Sequence, residues 1–256
     1  MNVHCLMPTY GRTRALLENA LACFVAQRYP RHKLRLTVCD DEGFLDPMER
    51  NADGWAIVSR AERFPDLGSK YNAMVAADHG WADAFAVWDD DDLYLPDHVA
   101  NNVAALRGSH GRGTAAWSQP SRVWSTYTGA PELEASAGRF HGSVFVCRAA
   151  ASWIATRRAD FDQQFLAALA RDFGSPARPD EHKAPTYVFR WADTGSTHCQ
   201  GLMRSPYDET WWESYAVEVA RRRRANNEQR PGQLVPRYDD AAVATFKALE
   251  AKGVRL

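Results

Sequence analysis

Trp88-Asp89-Asp90-Asp91-Asp92-Leu93-Tyr94-Leu95-Pro96 sets four consecutive carboxylates directly after an apolar stretch. Adjacent carboxylates repel strongly unless a cation or solvent screens them. In extended backbone Asp89 and Asp91 point to one side. Two oxygen donors there suit Mg²⁺ or Mn²⁺, ions that also take substrate phosphates and water. The competing reading is a solvated acidic turn that caps the following helix. An EF-hand loop does not fit, because its required glycine and terminal glutamate would fall on Tyr94 and Ala100.

Two further clusters carry chemistry. In Cys39-Asp40-Asp41-Glu42-Gly43, a carboxylate at a strand end accepts from a ribose hydroxyl or a pyrimidine N–H, or simply organises a turn. In Leu67-Gly68-Ser69-Lys70-Tyr71-Asn72-Ala73, Lys70 falls in the first turn of a helix, where amide N–H groups already favour anions. A lysine there can hold a diphosphate, and otherwise reads as an ordinary exposed side chain. Arg221–Arg224 either complements a helix dipole or contacts phosphates. No GxxxxGK[ST], HExxH or GxSxG occurs, so P-loop, zincin and hydrolase-elbow chemistry lack their cues. Gly111 to Ala116 matches GxGxxA formally, but it follows a helix and precedes strand-like sequence, the reverse of a dinucleotide-binding context.

The elements that must position these residues alternate. Val3–Met7 reads as a strand, Pro8 to Gly11 as a turn, and Leu17, Ala20, Leu21 and Phe24 as one helix face stopped by Tyr29-Pro30. Leu34 to Cys39 alternates as a second strand, and Trp55–Val58 reads as a third. Lys70 to Ala77 is helical, Ala82–Trp88 is a strand, and Pro96 opens a helix over Asp97 to Leu106. Such alternation predicts a mainly parallel α/β sheet. Ligands then sit at the carboxyl ends of the strands, where both acidic clusters fall. Beyond a glycine-rich break at 108–113, Ala115–Trp117 and Val123–Tyr127 read as a hairpin, and Gly142–Cys147 as a strand. Ala149 to Ala170 is helix-rich, with Phe161, Phe165, Leu166 and Leu169 on one face, and Tyr187–Trp191 is strand-like. Trp211 to Arg224 and Asp240–Leu249 read as helices.

Composition excludes several classes. With 256 residues, 45% apolar and 25% charged, the chain is long enough for a sizeable core and unlike a disordered or collagenous sequence. A net charge of −1 gives no global basic field for nucleic acid or anionic membrane. Five widely spaced cysteines, with no CxxC, suit free thiols in a reducing compartment. No leader is visible at the start, and no apolar run reaches membrane-spanning length. The expectation is a cytoplasmic protein.

The spaced set Met7-Pro8-Thr9-Tyr10-Gly11-Arg12, Gln27-Arg28-Tyr29-Pro30, Asp40-Asp41, Gly68-Ser69-Lys70-Tyr71-Asn72 and Trp88-Asp89-Asp90-Asp91-Asp92 resembles the family 2 glycosyltransferases of the GT-A fold. The likeness covers roughly residues 1–200, and its acidic run resembles that family's DxD motif, aligned on Asp89 and Asp91. The resemblance implies a mainly parallel central sheet flanked by helices, a small β-hairpin acceptor subdomain and a helical C-terminal tail. Residues 1–110 would form the nucleotide-sugar-binding half, 111–205 the acceptor-binding half of the same domain, and 206–256 the extension.

By the same resemblance the chain would be a metal-dependent hexosyl- or pentosyltransferase. It would move a sugar with inversion from a nucleoside-diphosphate donor, UDP-sugar ahead of GDP-sugar, to an acceptor hydroxyl. Pro8, Thr9, Tyr10, Arg12, Asp40, Asp41, Lys70, Asn72, Asp89, Asp90, His141 and Gly142 would bind the donor. Asp89, Asp91 and His198 would ligate Mn²⁺ or Mg²⁺. Asp180 or Glu181 would be the general base; their Asp-Glu order reverses the family's usual pair. Trp117, Trp211 and Trp212 offer stacking surface for an acceptor. An acceptor base in nucleic acid would require flipping or single strands. The rival readings are a nucleotidyltransferase on a similar sheet and a non-catalytic sugar- or nucleotide-binding module.

Overall fold

The computed structural model describes residues 1–108, 115–127, 129–136, 138–158, 160–190 and 232–256. The first half builds β1 (Val3–Thr9), α1 (Arg14–Val25), β2 (Leu34–Asp40), β3 (Trp55–Ser59), α2 (Leu67–Ala76), β4 (Ala84–Val87), β5 (Leu93–Tyr94) and α3 (His98–Arg107). Then come β6 (Trp117–Ser118), β7 (Arg122–Ser125), β8 (Glu132–Ala135), β9 (Phe145–Cys147), α4 (Phe161–Phe173), β10 (Tyr187–Phe189) and α5 (Asp240–Ala251).

Two sheets result. The larger runs β3-β2-β1-β4-β9-β6, with the first four strands parallel and β9 antiparallel to both of its neighbours, β4 and β6. The smaller runs β5-β10-β7-β8. β1 pairs with β2 along its whole length but with β4 only from Val3 to Leu6. Beyond that point β1 and β4 part, and Pro8 stands where no ladder needs its missing N–H. The acidic run lies immediately past this split, between the end of β4 in the larger sheet and β5 in the smaller one. The crevice at the carboxyl ends of diverging strands is where open α/β sheets take ligands.

Alternating side chains on the larger sheet feed two cores. Val3, Cys5, Met7, Leu36 and Val38 pack with α1, α3, the smaller sheet and the C-terminal segment. Leu6, Phe85, Val87 and Val146 pack with α2 and α4. Helix ends follow their caps: the Asp66 carboxylate accepts from Ser69 N at 2.7 Å to start α2, and Asp239 accepts from Ala242 N at 2.7 Å to start α5. Gln27 ties α1 to α3 by donating to Leu95 O and accepting from Val99 N, each at 3.0 Å. The C-terminal segment is held on α1 by buried Glu18, which accepts from Arg14, Arg237 and Val235 N.

Three sequence expectations need correction. β6 and β7 do not form a hairpin: β6 joins the larger sheet and β7 the smaller. Pro120 removes a donor between them, and the chain crosses from one sheet to the other there. Gly142 and Ser143 lie in a 3₁₀ turn over His141–Ser143, and the strand starts only at Phe145. α4 begins at Phe161, not near Ala149. Its buried face does comprise Phe161, Phe165, Leu166 and Leu169. The helix read over Trp211 to Arg224 lies outside the described residues. No described helix is long and apolar enough to cross a membrane.

Candidate active site

Asp90, Asp91 and Asp92 are buried, and Asp89 is half-buried, although all four are charged at neutral pH when free. The Arg12 guanidinium faces two of them. Arg12 Nε donates to Asp90 Oδ1 at 2.7 Å, and its Nη2 lies 2.8 Å from Asp91 Oδ2. Thr9 also hydrogen-bonds Asp90. Three buried phenols complete the shell. Tyr71 OH faces Asp89 Oδ1 at 3.5 Å, Asp89 N donates to Tyr94 OH at 2.6 Å, and Tyr187 OH donates to Asp92 Oδ2. Asp92 Oδ1 also accepts from Arg190 N at 2.8 Å.

Burial pushes the carboxyl pKa of Asp89 well above its ordinary value, and the Asp91 and Asp90 charges add to this. Asp92 is raised well above as well, by burial and then by Asp91 and Asp89. Asp90 is raised by burial, with Arg12 opposing. Clustered carboxylates held out of water favour a divalent cation that screens their mutual repulsion. Among the described residues no three His, Cys, Asp or Glu side chains converge as a metal site. Mg²⁺-type sites nevertheless use one or two carboxylates and take the rest from phosphate and water, so the donor set of Asp89 and Asp91 fits such an ion.

The 3₁₀ turn at 141–143 closes the other side. Gly142 approaches so near that a Cβ there would overlap Asp89 Oδ2 and lie 2.7 Å from Tyr187 OH. Phe140, just before it, holds a left-handed backbone at φ 61°, a strained geometry for a bulky side chain that only surrounding packing sustains. His141 Nε2 accepts from Trp153 Nε1 at 2.9 Å, so the ring is neutral with its proton on Nδ1. Trp153 in turn stacks on Tyr71, 4.9 Å between centroids.

Burial lowers His141 to about 3 and does the same to His98, at the start of α3. The sign follows from linkage. The native rings stay neutral while unfolded histidine takes a proton near pH 6.5, so this contribution is complete above pH 6.5 and is lost as pH falls toward 3. Between pH 6.5 and 5 each histidine costs about 2 kcal/mol. Denaturant titrations should show the wild type losing about that much more than His98→Gln over this interval.

Several expected donor contacts are otherwise engaged. Lys70 Nζ donates to Asp41 Oδ1 at 2.6 Å and to Thr9 O at 2.7 Å, both side chains being essentially inaccessible. Its expected diphosphate contact gives way to a buried pair that ties α2 to the ends of β1 and β2. Asp40 accepts from Glu42 N, Phe44 N, Leu45 N and Ser59 Oγ and shapes the loop after β2. Asp41 also accepts from Phe64 N at 3.0 Å. Asn72 exchanges two bonds with the Trp153 backbone, both 2.8 Å, so it fixes that segment instead of meeting a donor. Tyr10 carries the Arg63 guanidinium over its ring at 4.1 Å.

The two candidate bases differ in their surroundings. Asp180 is buried and accepts from Ser121 N, Ser121 Oγ and Arg122 N at 2.7–3.0 Å, which staples the start of β7. Glu181 is exposed. Trp117 is a core residue whose Nε1 donates to Gly174 O. His198, Trp211 and Trp212 lie outside the described residues. Sequence reading missed Tyr94, Tyr187, Trp153 and Asp162. Asp162, in the first turn of α4, exerts its charge on both Asp89 and Tyr71. Only Tyr71 carried a sequence signal, through its place between Lys70 and Asn72.

No protein-family model and no curated protein matches the chain. Solved structures do. S. aureus TarS 1–349 matches with a TM-score of 0.53 at 13% identity, over 74% of this chain and 60% of its own. The same fragment in complex with UDP-GlcNAc matches at 0.57 and 13%, over 88% of this chain and 73% of its own. The mannosyltransferase PcManGT from Pyrobaculum calidifontis, in complex with GDP-Man and Mn²⁺, matches at 0.54 and 16%, over 98% and 80%. The chain has a GT-A-like fold. At these identities the likeness concerns the fold, and the chain spans 60% of the first TarS structure.

Proposed function

We propose that the protein is a metal-dependent glycosyltransferase of the family 2 type, using a nucleoside-diphosphate sugar. The observation that carries this reading is the buried run Asp89–Asp92 at the split between β1 and β4, with Arg12 as its ion-pairing cation. Similarity of fold to a mannosyltransferase solved with GDP-Man and Mn²⁺ and to TarS solved with UDP-GlcNAc supports it.

In this reading the nucleoside lies at the ends of β1 and β2, beside Thr9, Tyr10 and the loop that Asp40 and Asp41 organise. Asp89 and Asp91 would hold Mn²⁺ or Mg²⁺, which supplies charge neutralisation on the departing nucleoside diphosphate. Arg12 keeps Asp90 and Asp91 oriented. Tyr71 and Tyr94 fix Asp89, and Tyr187 fixes Asp92, so the carboxylates need little reorganisation as the donor binds. Gly142, without a side chain, leaves the space that the Asp89 carboxylate and the Tyr187 hydroxyl occupy.

Inversion requires a base that removes the acceptor hydroxyl proton as the new bond forms. We assign that role to Asp162, because Asp180 is committed to three donors at the start of β7. Burial raises Asp162 above the ordinary carboxylate value, which brings it closer to operating pH. The acceptor would enter from the side of the smaller sheet.

The test is product analysis after incubation with UDP- and GDP-sugars and Mn²⁺. Slow release of the nucleoside diphosphate, even to water, is the expected result. Pyrophosphate release from a nucleoside triphosphate would instead indicate nucleotidyl transfer. Binding without any turnover would indicate a binding module.

A further inference from the structure

A groove of about 550 Å³, lined by no residue of the acidic run, opens between α2 and the outer strands β2 and β3. Ala73, Met74 and Ala77 of α2 form one wall, and Ala56 and Val58 of β3 form the other. Val58 is 46% exposed although it sits in a strand. Its two walls are therefore apolar, while His4, Thr37 and Asp78 form a polar floor.

Its rim is cationic. Arg35 and Arg50 stand at the end where β2 begins, and Arg60 stands at the other end. The Arg35 guanidinium lies 3.8 Å from the Trp81 ring centroid, and Arg60 lies 4.3 Å from that of Phe64. Arg60 also pairs with Glu62 at 3.8 Å, whereas the stacked Arg35 guanidinium is oriented in advance to meet an oxyanion with its in-plane donors. Arg50 is fixed by donation to Leu36 O at 3.1 Å, Gly54 O at 2.6 Å and Thr37 Oγ1 at 3.4 Å.

Neither Arg35 nor Arg50 has a carboxylate within ion-pair distance among the described residues. The nearby acid, Asp78, is already committed: Oδ1 pairs with His4 Nδ1 at 2.7 Å, and Oδ2 accepts from Ala82 N and from Arg148. His4 Nε2 is in turn bonded to Thr37 Oγ1 at 2.8 Å. The floor is thus internally neutralised, while the rim holds adjacent positive charges that repel each other. Burial and the Arg35 charge both depress Arg50.

We propose that this groove is a second ligand site, for a small organic phosphate. Its dianionic group would be held by Arg35 and Arg50, and its apolar or ring portion would lie along Val58 and Met74. Two fixed guanidiniums match a phosphate dianion in charge and donor geometry. The volume is that of an ordinary small-molecule site. The site uses no residue of the acidic run and stands independently of the transferase reading.

Calorimetric titration of the full chain with phenyl phosphate and with inorganic phosphate tests this, in EDTA so that the acidic run holds no metal. Phenyl phosphate should bind at least about tenfold more tightly than inorganic phosphate, reflecting the apolar wall. Arg35→Gln and Arg50→Gln should each weaken it at least about tenfold, and Asp89→Asn should leave it unchanged. No binding of phenyl phosphate at millimolar concentration, equal affinity for the two phosphates, or binding indifferent to both arginine changes would overturn the proposal. Mn²⁺-dependent nucleotide binding, measured on the same arginine variants, should persist and so separates failure here from failure of the transferase reading.

Discussion

Asp89→Asn should abolish sugar transfer while making the metal-free protein more stable. Loss of one carboxylate from a two-carboxylate metal site removes several kcal/mol of transition-state stabilisation, a fall of at least about 10³-fold in rate. The stability gain has a separate cause. Asp89 is desolvated, has Asp90 and Asp91 as neighbours, and is met by a phenol at 3.5 Å, while Arg12 serves the other two. Its charge is therefore costly in the folded state. Removing it should add about 1 kcal/mol, or roughly 2–4 °C in Tm for a chain of this size. Asp91→Asn should lose activity equally but gain less, because Arg12 then loses a partner. A loss of stability in Asp89→Asn, with activity retained, would identify the run as a structural turn. This combination of outcomes separates a functional carboxylate, tolerated at a cost, from one that folding requires.

Lys70→Met should destabilise the protein by about 3–5 kcal/mol, because it strands the buried Asp41 carboxylate. That corresponds to roughly 6–20 °C in Tm. The double variant Lys70→Met/Asp41→Leu should recover much of the loss, since no charge is then left buried alone. Thermal unfolding of the two single variants and the double variant measures the coupling. If Lys70 instead held a diphosphate, the single variant would stay near wild-type stability and its KM for donor would rise. The structure favours the first outcome, with Nζ within 2.7 Å of both Asp41 and the Thr9 carbonyl.

The contrast between these two sites shows what the sequence made legible. β1 to β4 with α1 to α3 were readable because their apolar periods are strong and their turns carry Pro, Gly and Asp. The acidic run was readable because four aspartates after a buried strand have few uses. β5 escaped because two residues between an acidic run and a proline give no period to detect. β8 escaped because Glu132 and Glu134 lie exposed or half-exposed on a strand with no buried residue at all. Lys70 and Asn72 read as donor contacts and Asp180 as a candidate base, yet each has polar atoms taken by partners more than 25 residues away in the chain. Local sequence reports that a side chain has donors or acceptors. Only the packed structure decides whether a neighbour consumes them first.

At Gly142 the steric reason for a glycine is the overlap that a Cβ would suffer with Asp89. The three phenols around the acidic run supply the rigidity that the sequence reading left unassigned, and Trp153 and His141 hold Tyr71 from behind.

The most direct test of the transferase reading is the thermal shift of the wild type and Asp89→Asn with UDP and GDP, each with and without Mn²⁺. A ligand at about 100 times its Kd should stabilise the native state by about 2.7 kcal/mol. The predicted result is a shift with one of these nucleotides in the wild type that requires Mn²⁺ and is absent from Asp89→Asn. No shift with either nucleotide, or a shift of equal size without Mn²⁺ and in Asp89→Asn, would contradict the assignment of the acidic run as the donor and metal site.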